Sequence, residues 1–230
     1  MSERMRDGFR GTGPGPITPD GCAVERWLRL PVGREPDIIE AAVPPGASLL
    51  ELGCGVGRVT HPLLARGFAV TAVDESPEML AHVRGARTVC SPVETLELGE
   101  ERFDVVLLAS FLVNNGDPAV RRGMLRTCRR YVADGGCVLI EREGDDWHVR
   151  VPREARSADG GLVRVATAEP VGPDTSAIRV EYEFPDAVWT QTFVSYRYRG
   201  DAFERALAEA GLAVDATLTE DLTWVRARPV

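Results

Sequence analysis

Residues 49–60 read Leu49-Leu50-Glu51-Leu52-Gly53-Cys54-Gly55-Val56-Gly57-Arg58-Val59-Thr60, an apolar run that breaks into three glycines at alternate positions. A strand that ends in such a loop and leads into a helix lets backbone amides approach a ligand, where the helix dipole adds positive potential. The next apolar run, 69–73, ends at Asp74, whose carboxylate is placed to accept hydrogen bonds from a ribose diol. Together they describe a site for a nucleotide-type cofactor at the carboxyl ends of a doubly wound sheet.

The dinucleotide fingerprint G-x-G-x-x-G fails here. Counted from Gly53 it needs glycine at 58 and meets Arg58; counted from Gly55 it needs glycine at 60 and meets Thr60. An acid, Glu51, stands two residues before the first glycine instead. A carboxylate there suits a cofactor with an ammonium and a sulfonium, such as S-adenosylmethionine, and opposes a pyrophosphate.

Outward from the loop, strand-like and helix-like segments alternate. Strands are expected at 48–53, 69–73, 87–90, 104–109 and 137–141, and helices at 57–66, 76–84 and 117–132. Within 104–109 the stretch Val-Val-Leu-Leu is apolar throughout, as in a strand covered on both faces. Alternation of this kind implies a parallel sheet wrapped by helices. Upstream, 21–30 and 35–42 read as short helices, and 1–16, rich in glycine and proline, reads as a flexible tail. Beyond 143 the pattern turns to β-type stretches at 162–166, 177–184 and 188–198. The middle one puts Ile178, Val180, Tyr182 and Phe184 on one face, and Pro185-Asp186 marks a hairpin turn. A helix at 201–210 and a strand at 222–227 follow. The expected fold class is α/β: a doubly wound, mostly parallel, seven-stranded Rossmann-like sheet with helices on both faces. Residues 17–45 form an N-terminal helical lid, 46–143 the cofactor core, 144–199 an antiparallel β-insert, and 200–230 a closing helix and strand.

Composition narrows the partners. The 230 residues carry a net charge of −8, which opposes an electrostatic grip on nucleic acid. Five cysteines stand singly, with no pair or histidine at zinc-ligand spacing, so no metal is expected. An odd cysteine count without an export signal points to a cytoplasmic protein with reduced thiols. No apolar run reaches the ~18 residues that would span a membrane.

With these residues in place, a resemblance is plain. Residues 49–60, 73–80 (Val-Asp-Glu-Ser-Pro-Glu-Met-Leu) and 103–110 (Phe-Asp-Val-Val-Leu-Leu-Ala-Ser) resemble, in order and spacing, the first, second and fourth motifs of class I S-adenosylmethionine-dependent methyltransferases of the small-molecule, natural-product type. The likeness covers roughly 45–145. It implies that Gly53, Cys54, Gly55 and Gly57 line the methionine part of S-adenosylmethionine, with Glu51 orienting it. It implies further that Asp74 binds the ribose hydroxyls, Met79 covers the adenine and Ala109 offers its carbonyl to the ammonium, with Glu75 and Ser110 also among the cofactor-binding residues. Arg58 would reach the cofactor carboxylate. The family often places an acid after the third strand to read the adenine, and Pro92 stands there instead. That leaves Glu94, or the backbone of Val93, to read the ring.

The acceptor is less legible. His148 and Glu143 lie just beyond the strand that ends at Glu141, where α/β sheets place substrate. A histidine or carboxylate there can act as general base for a hydroxyl or amine; the competing reading of His148 is a surface-loop residue. Glu141, Trp147, Asn114 and Trp27 are the remaining substrate candidates, with Trp27 closing over the cofactor. The Asn/Asp-Pro-Pro-aromatic tetrapeptide of base- and amide-nitrogen methyltransferases is absent, since 109–112 read Ala-Ser-Phe-Leu. The leading expectation is methyl transfer to nitrogen or oxygen of a small molecule. Alternatives are a protein or tRNA methyltransferase, or a cofactor-binding homologue without transfer. The β-insert is a cover for the acceptor or the surface of a homodimer.

Overall fold

Each strand expected in the core forms where its apolar run lies. A computed structural model describes residues 5–144, 146–156 and 160–230. In chain order the elements are β1 (Arg10–Thr12), α1 (Val24–Arg29), α2 (Glu35–Ala42), β2 (Ser48–Leu52), α3 (Thr60–Ala65), β3 (Ala69–Asp74), α4 (Pro77–Leu80), β4 (Arg87–Cys90) and β5 (Phe103–Leu108). There follow α5 (Pro118–Tyr131), β6 (Val132–Glu141), β7 (Arg153–Arg156), β8 (Leu162–Gly172), β9 (Thr175–Phe184), β10 (Ala187–Tyr196), α6 (Ala202–Glu209), β11 (Leu212–Thr217) and β12 (Trp224–Pro229). Short 3-10 turns sit at Val93–Thr95 and Leu112–Asn114.

Seven strands make the main sheet in the order β11-β12-β6-β5-β2-β3-β4. Neighbours from β6 to β4 run parallel, and only β12 runs against them. Alternate residues of β2 explain why both faces are covered. Leu50 and Leu52 join Val106, Ile140 and the α5 residues Met124, Leu125 and Tyr131. Leu49 joins Val105, Leu139, Ile39 of α2 and Leu63 of α3 on the other side. The chain of α5 is started by Asp117, which accepts the Ala119 N–H at 2.7 Å, with Pro118 at the first helical position.

A second, five-stranded antiparallel sheet has the order β1-β10-β9-β8-β7. The expected hairpin is present, with Phe184 opposite Ala187. The pairings Arg153↔Val165, Val165↔Val180 and Val180↔Gln191, and Ala155↔Val163, Val163↔Tyr182 and Tyr182↔Trp189, place these side chains on one face. Ser195 and Phe193 share that face with Gln191.

Three expectations are corrected. The segment 1–16 is not a free tail over its described part: Arg10–Thr12 pairs with β10, covering an edge that would otherwise be open. Gly11 is needed for that approach, since a Cβ there would stand 2.2 Å from the Gly21 carbonyl oxygen. The helix expected over 76–84 ends at Leu80, because the Arg84 N–H turns aside to His61 Nε2 at 3.0 Å. The strand expected at 137–141 begins at Val132, which pairs with Phe103. The charged strand β7 and the edge strand β11 lay outside the expected elements.

Candidate active site

The three loop glycines all take positive φ, so the chain turns sharply as it leaves β2. The Gly53 and Cys54 N–H groups both donate to the Val73 carbonyl at 2.8 Å, which fastens the loop to β3. Asp74, at the end of β3, accepts the Gly55 N–H at 2.8 Å on one oxygen and the Ser76 N–H at 2.9 Å on the other. Burial pushes its carboxyl up to about 6 against these two donors. Glu51 is 5% exposed and accepts the Thr60 hydroxyl at 2.6 Å; burial raises it to about 7.

Above the loop lies a cavity of about 740 Å³. Its floor is the ends of β2, β3 and β5, its near wall is α1 and the N-terminal segment, and its roof is the inner face of the five-stranded sheet. Glu51, Gly53, Cys54, Gly55, Arg58, Asp74, Glu75, Met79, Val93, Glu94, Ala109 and Ser110 all line it. Gly57 does not: the direction a Cβ would take there is filled by the His61 ring at 2.7 Å, so this glycine serves the turn and packing.

Three features fit S-adenosylmethionine. A Cβ at Gly55 would meet nothing closer than Met79 Sδ at 4.0 Å, so the loop leaves open room beside Asp74 for a ligand. Glu94 Oε2 is buried without a partner, an acceptor suited to the adenine amino group where Pro92 offers none. Glu35 Oε2, on the same cavity, is likewise buried and unpartnered, an acceptor suited to the ammonium. Arg58 is less free than the sequence suggested: Nη1 holds Glu35 Oε1 at 2.7 Å. Arg6 reaches in from the N-terminal segment to pair with Glu75 at 2.6 Å and Glu94 at 2.8 Å. Glu35, Arg6, Arg26 and Ser195 were not among the sequence candidates.

Past β5 the backbone is strained, with Ser110 and Phe111 at φ of 55° and 60°. The turn is held by the Ser110 N–H, which donates to Glu141 Oε2 at 2.7 Å. Phe111 then stacks on Trp147 at 5.9 Å, and the Arg153 guanidinium lies 4.0 Å from the other partner of that stack, the Trp147 ring centroid. Trp27, on α1, packs with Val56 and Met79 and lines the cavity.

Glu143 and His148 come together, but not as equals. Glu143 lines the cavity, whereas His148 lies behind it against a separate small void. Their side chains are 3% and 5% exposed, so His148, though it lies in a turn, is not a surface residue, and it does not line the main cavity. His148 Nε2 sits 2.8 Å from Glu143 Oε2, and the Ser195 hydroxyl donates to the same oxygen at 2.7 Å. Burial raises the Glu143 pKa, opposed by these two contacts. Asn114 lines the cavity, and it also braces the backbone: its Nδ2 donates to the Tyr196 carbonyl at 2.9 Å and its Oδ1 accepts the Glu143 N–H at 3.0 Å. The bond to the Glu143 backbone N–H lets Asn114 position that residue.

The chain matches the family model described as a methyltransferase domain over residues 50–140. It is 37% identical over 182 residues to an uncharacterized methyltransferase of Mycobacterium tuberculosis (strain ATCC 25618 / H37Rv), covering 76% of this chain and 73% of that one. It is 34% identical over 104 residues to a ubiquinone biosynthesis O-methyltransferase of Caulobacter sp. (strain K31), a match that spans 41% of this chain and only 40% of that relative. Among solved structures it is similar to the S-adenosylmethionine-bound amino pentose methyltransferase of Micromonospora echinaspora involved in calicheamicin biosynthesis. The TM-score is 0.64 at 21% identity, over 85% of this chain and 89% of that one.

Proposed function

This chain belongs to the class I S-adenosylmethionine-dependent methyltransferases, and from that premise we propose that it methylates a nitrogen or oxygen of a small molecule, with Glu143 as general base. The observation that carries this reading is the state of the Glu143 carboxylate. Both of its side-chain contacts fall on Oε2, and Oε1 takes none from the described residues while Glu143 lines the cavity.

Bound S-adenosylmethionine supplies a methyl group on a sulfonium, already an excellent leaving group. The chain's residues have two tasks. One is to hold the acceptor in line with that methyl and away from water, where proximity is worth effective molarities up to ~10⁵ M or more. The other is to take the proton that the acceptor nitrogen or oxygen loses. Glu143 Oε1 takes it; Ser195 and His148 hold Oε2 in place and keep the carboxylate oriented. Asn114 fixes the backbone beneath. The N-terminal segment and the five-stranded sheet act as the lid that excludes water. Asp74 holds the ribose and Glu94 the adenine amino group, while Glu35, Glu51 and the Ala109 carbonyl take the ammonium end.

The similar amino pentose methyltransferase supports a small, soluble-metabolite acceptor for this architecture. The test is incubation of the protein with methyl-labelled S-adenosylmethionine and a fractionated cell extract. The expected label appears in dialysable small molecules, together with S-adenosylhomocysteine. Label confined to protein or RNA, or no turnover with any fraction, overturns the reading.

A further inference from the structure

The near wall of the cavity holds a cation without a counter-ion, set against the roof. Arg26, on α1, is nine-tenths buried, at 9% exposed, and lines the cavity. Its guanidinium carbon lies 4.1 Å from the centroid of the Tyr182 ring, on the inner face of the five-stranded sheet, and 5.1 Å from that of Trp27. These two rings are its partners; among the described residues its guanidinium has no hydrogen bond and no ion pair. The other arginines on the cavity differ. Arg58 is paired with Glu35, and Arg6 with Glu75 and Glu94. Arg153 gives Nη1 to the Trp147 and Arg150 carbonyls and feels the charge of Glu143, while its Nη2 is buried without a partner.

A cation removed from water needs compensation, and aromatic faces supply only part of it. The sheet face around Arg26 carries Val163, Val180 and Phe193 beside Tyr182, with the uncharged Gln191 as its polar neighbour. The missing partner is therefore an anion that arrives with the ligand. A lone guanidinium presents one planar fork, which matches a carboxylate in bidentate fashion. A phosphate dianion would ask for a second cation, and the other cavity arginines are already engaged: Arg58 and Arg6 by carboxylates, Arg153 by backbone carbonyls and the charge of Glu143.

We propose that Arg26 is the residue that selects the acceptor, and that the acceptor carries a carboxylate on an apolar, aromatic-sized body. The inference rests on the methyltransferase reading above. It adds a substrate class to it: the carboxylate docks at Arg26 and the ring lies on Tyr182 and the valines, with the nitrogen or oxygen to be methylated turned toward Glu143.

Calorimetry tests it without turnover. Protein loaded with S-adenosylhomocysteine is titrated with 4-hydroxybenzoate, 2-naphthoate, the primary amide of each, and phenyl phosphate. At least one acid is expected to bind about tenfold or more tighter than its amide. That preference should vanish in Arg26→Gln and survive in part in Arg26→Lys, with S-adenosylhomocysteine affinity the same in all three proteins. Equal affinity for acids and amides, a preference intact in Arg26→Gln, or phenyl phosphate outcompeting both acids overturns the proposal. A loss of S-adenosylhomocysteine affinity in Arg26→Gln overturns it too, by giving Arg26 to the cofactor. Failure of the wild-type protein to load S-adenosylhomocysteine is separate: it removes the methyltransferase reading itself.

Discussion

At Glu143 the proposed base is set by what touches each oxygen. Ser195 and His148 share Oε2, so a neutral isostere keeps the shape of the site and loses the proton acceptor. Glu143→Gln should lower kcat/KM by about 10² to 10⁴ while leaving cofactor affinity unchanged. Steady-state kinetics beside a binding titration separates the two. Because burial raises the Glu143 pKa, kcat/KM should fall on acidification with an apparent pKa above the usual carboxylate value of about 4.3. The contact from His148 lowers that pKa, so His148→Ala should move the limb to higher pH. Full activity across pH in both variants removes the base assignment. At this scale the sequence carried the residues that act locally. Glu51, Gly53, Gly55 and Asp74 are legible because strand, turn and strand are neighbours in the chain. Arg6 meets Glu94 across 88 positions and Ser195 meets Glu143 across 52, and no local spacing encodes such pairs.

The elements repeat the lesson with a different cause. Strands β2, β3 and β5 are predominantly apolar and were legible as such, whereas β7 reads Arg-Glu-Ala-Arg and is a strand only because β8 offers an edge. Its tertiary setting overrides its composition. The glycines of the N-terminal segment mislead in the same way: at Gly11 the missing side chain permits close packing. Trp189 shows what this packing holds, since it is 1% exposed and its Nε1 donates to the Pro14 carbonyl at 2.8 Å. Gly11→Ala places a methyl group against the Gly21 backbone and should displace β1, at a cost of about 1–3 kcal/mol. Thermal denaturation should show the lower midpoint, and limited proteolysis should cut the N-terminal segment sooner. An unchanged midpoint with unchanged cleavage means β1 is not docked as described.

Across the whole molecule, two sheets and the N-terminal segment enclose a cavity whose cofactor side is crowded with acids. Glu51 and Asp74, raised to about 7 and about 6, bind protons more tightly folded than unfolded, where carboxylates titrate near about 4. Their contribution to the stability of the ligand-free protein is thus fully present below about pH 4 and is lost as pH rises through about 6 and 7. S-adenosylmethionine brings net positive charge into the same acids and favours their ionised forms. Its binding should release protons in that window. The doubly wound core was legible because its periodicity is written along the chain. The enclosure was not, since it depends on β10 receiving β1 and on α1 meeting β9, contacts between distant segments.

The most direct test of the cofactor site is a calorimetric titration of S-adenosylmethionine from about pH 5 to about pH 8, for the wild type and Asp74→Asn. One molecule should bind per chain, with affinity rising as pH passes through about 6 to 7, and Asp74→Asn should weaken binding about tenfold or more and flatten part of that rise. Binding that is independent of pH and indifferent to Asp74→Asn would contradict the placement of the cofactor on the loop from Glu51 to Gly57 and the carboxylate that faces it.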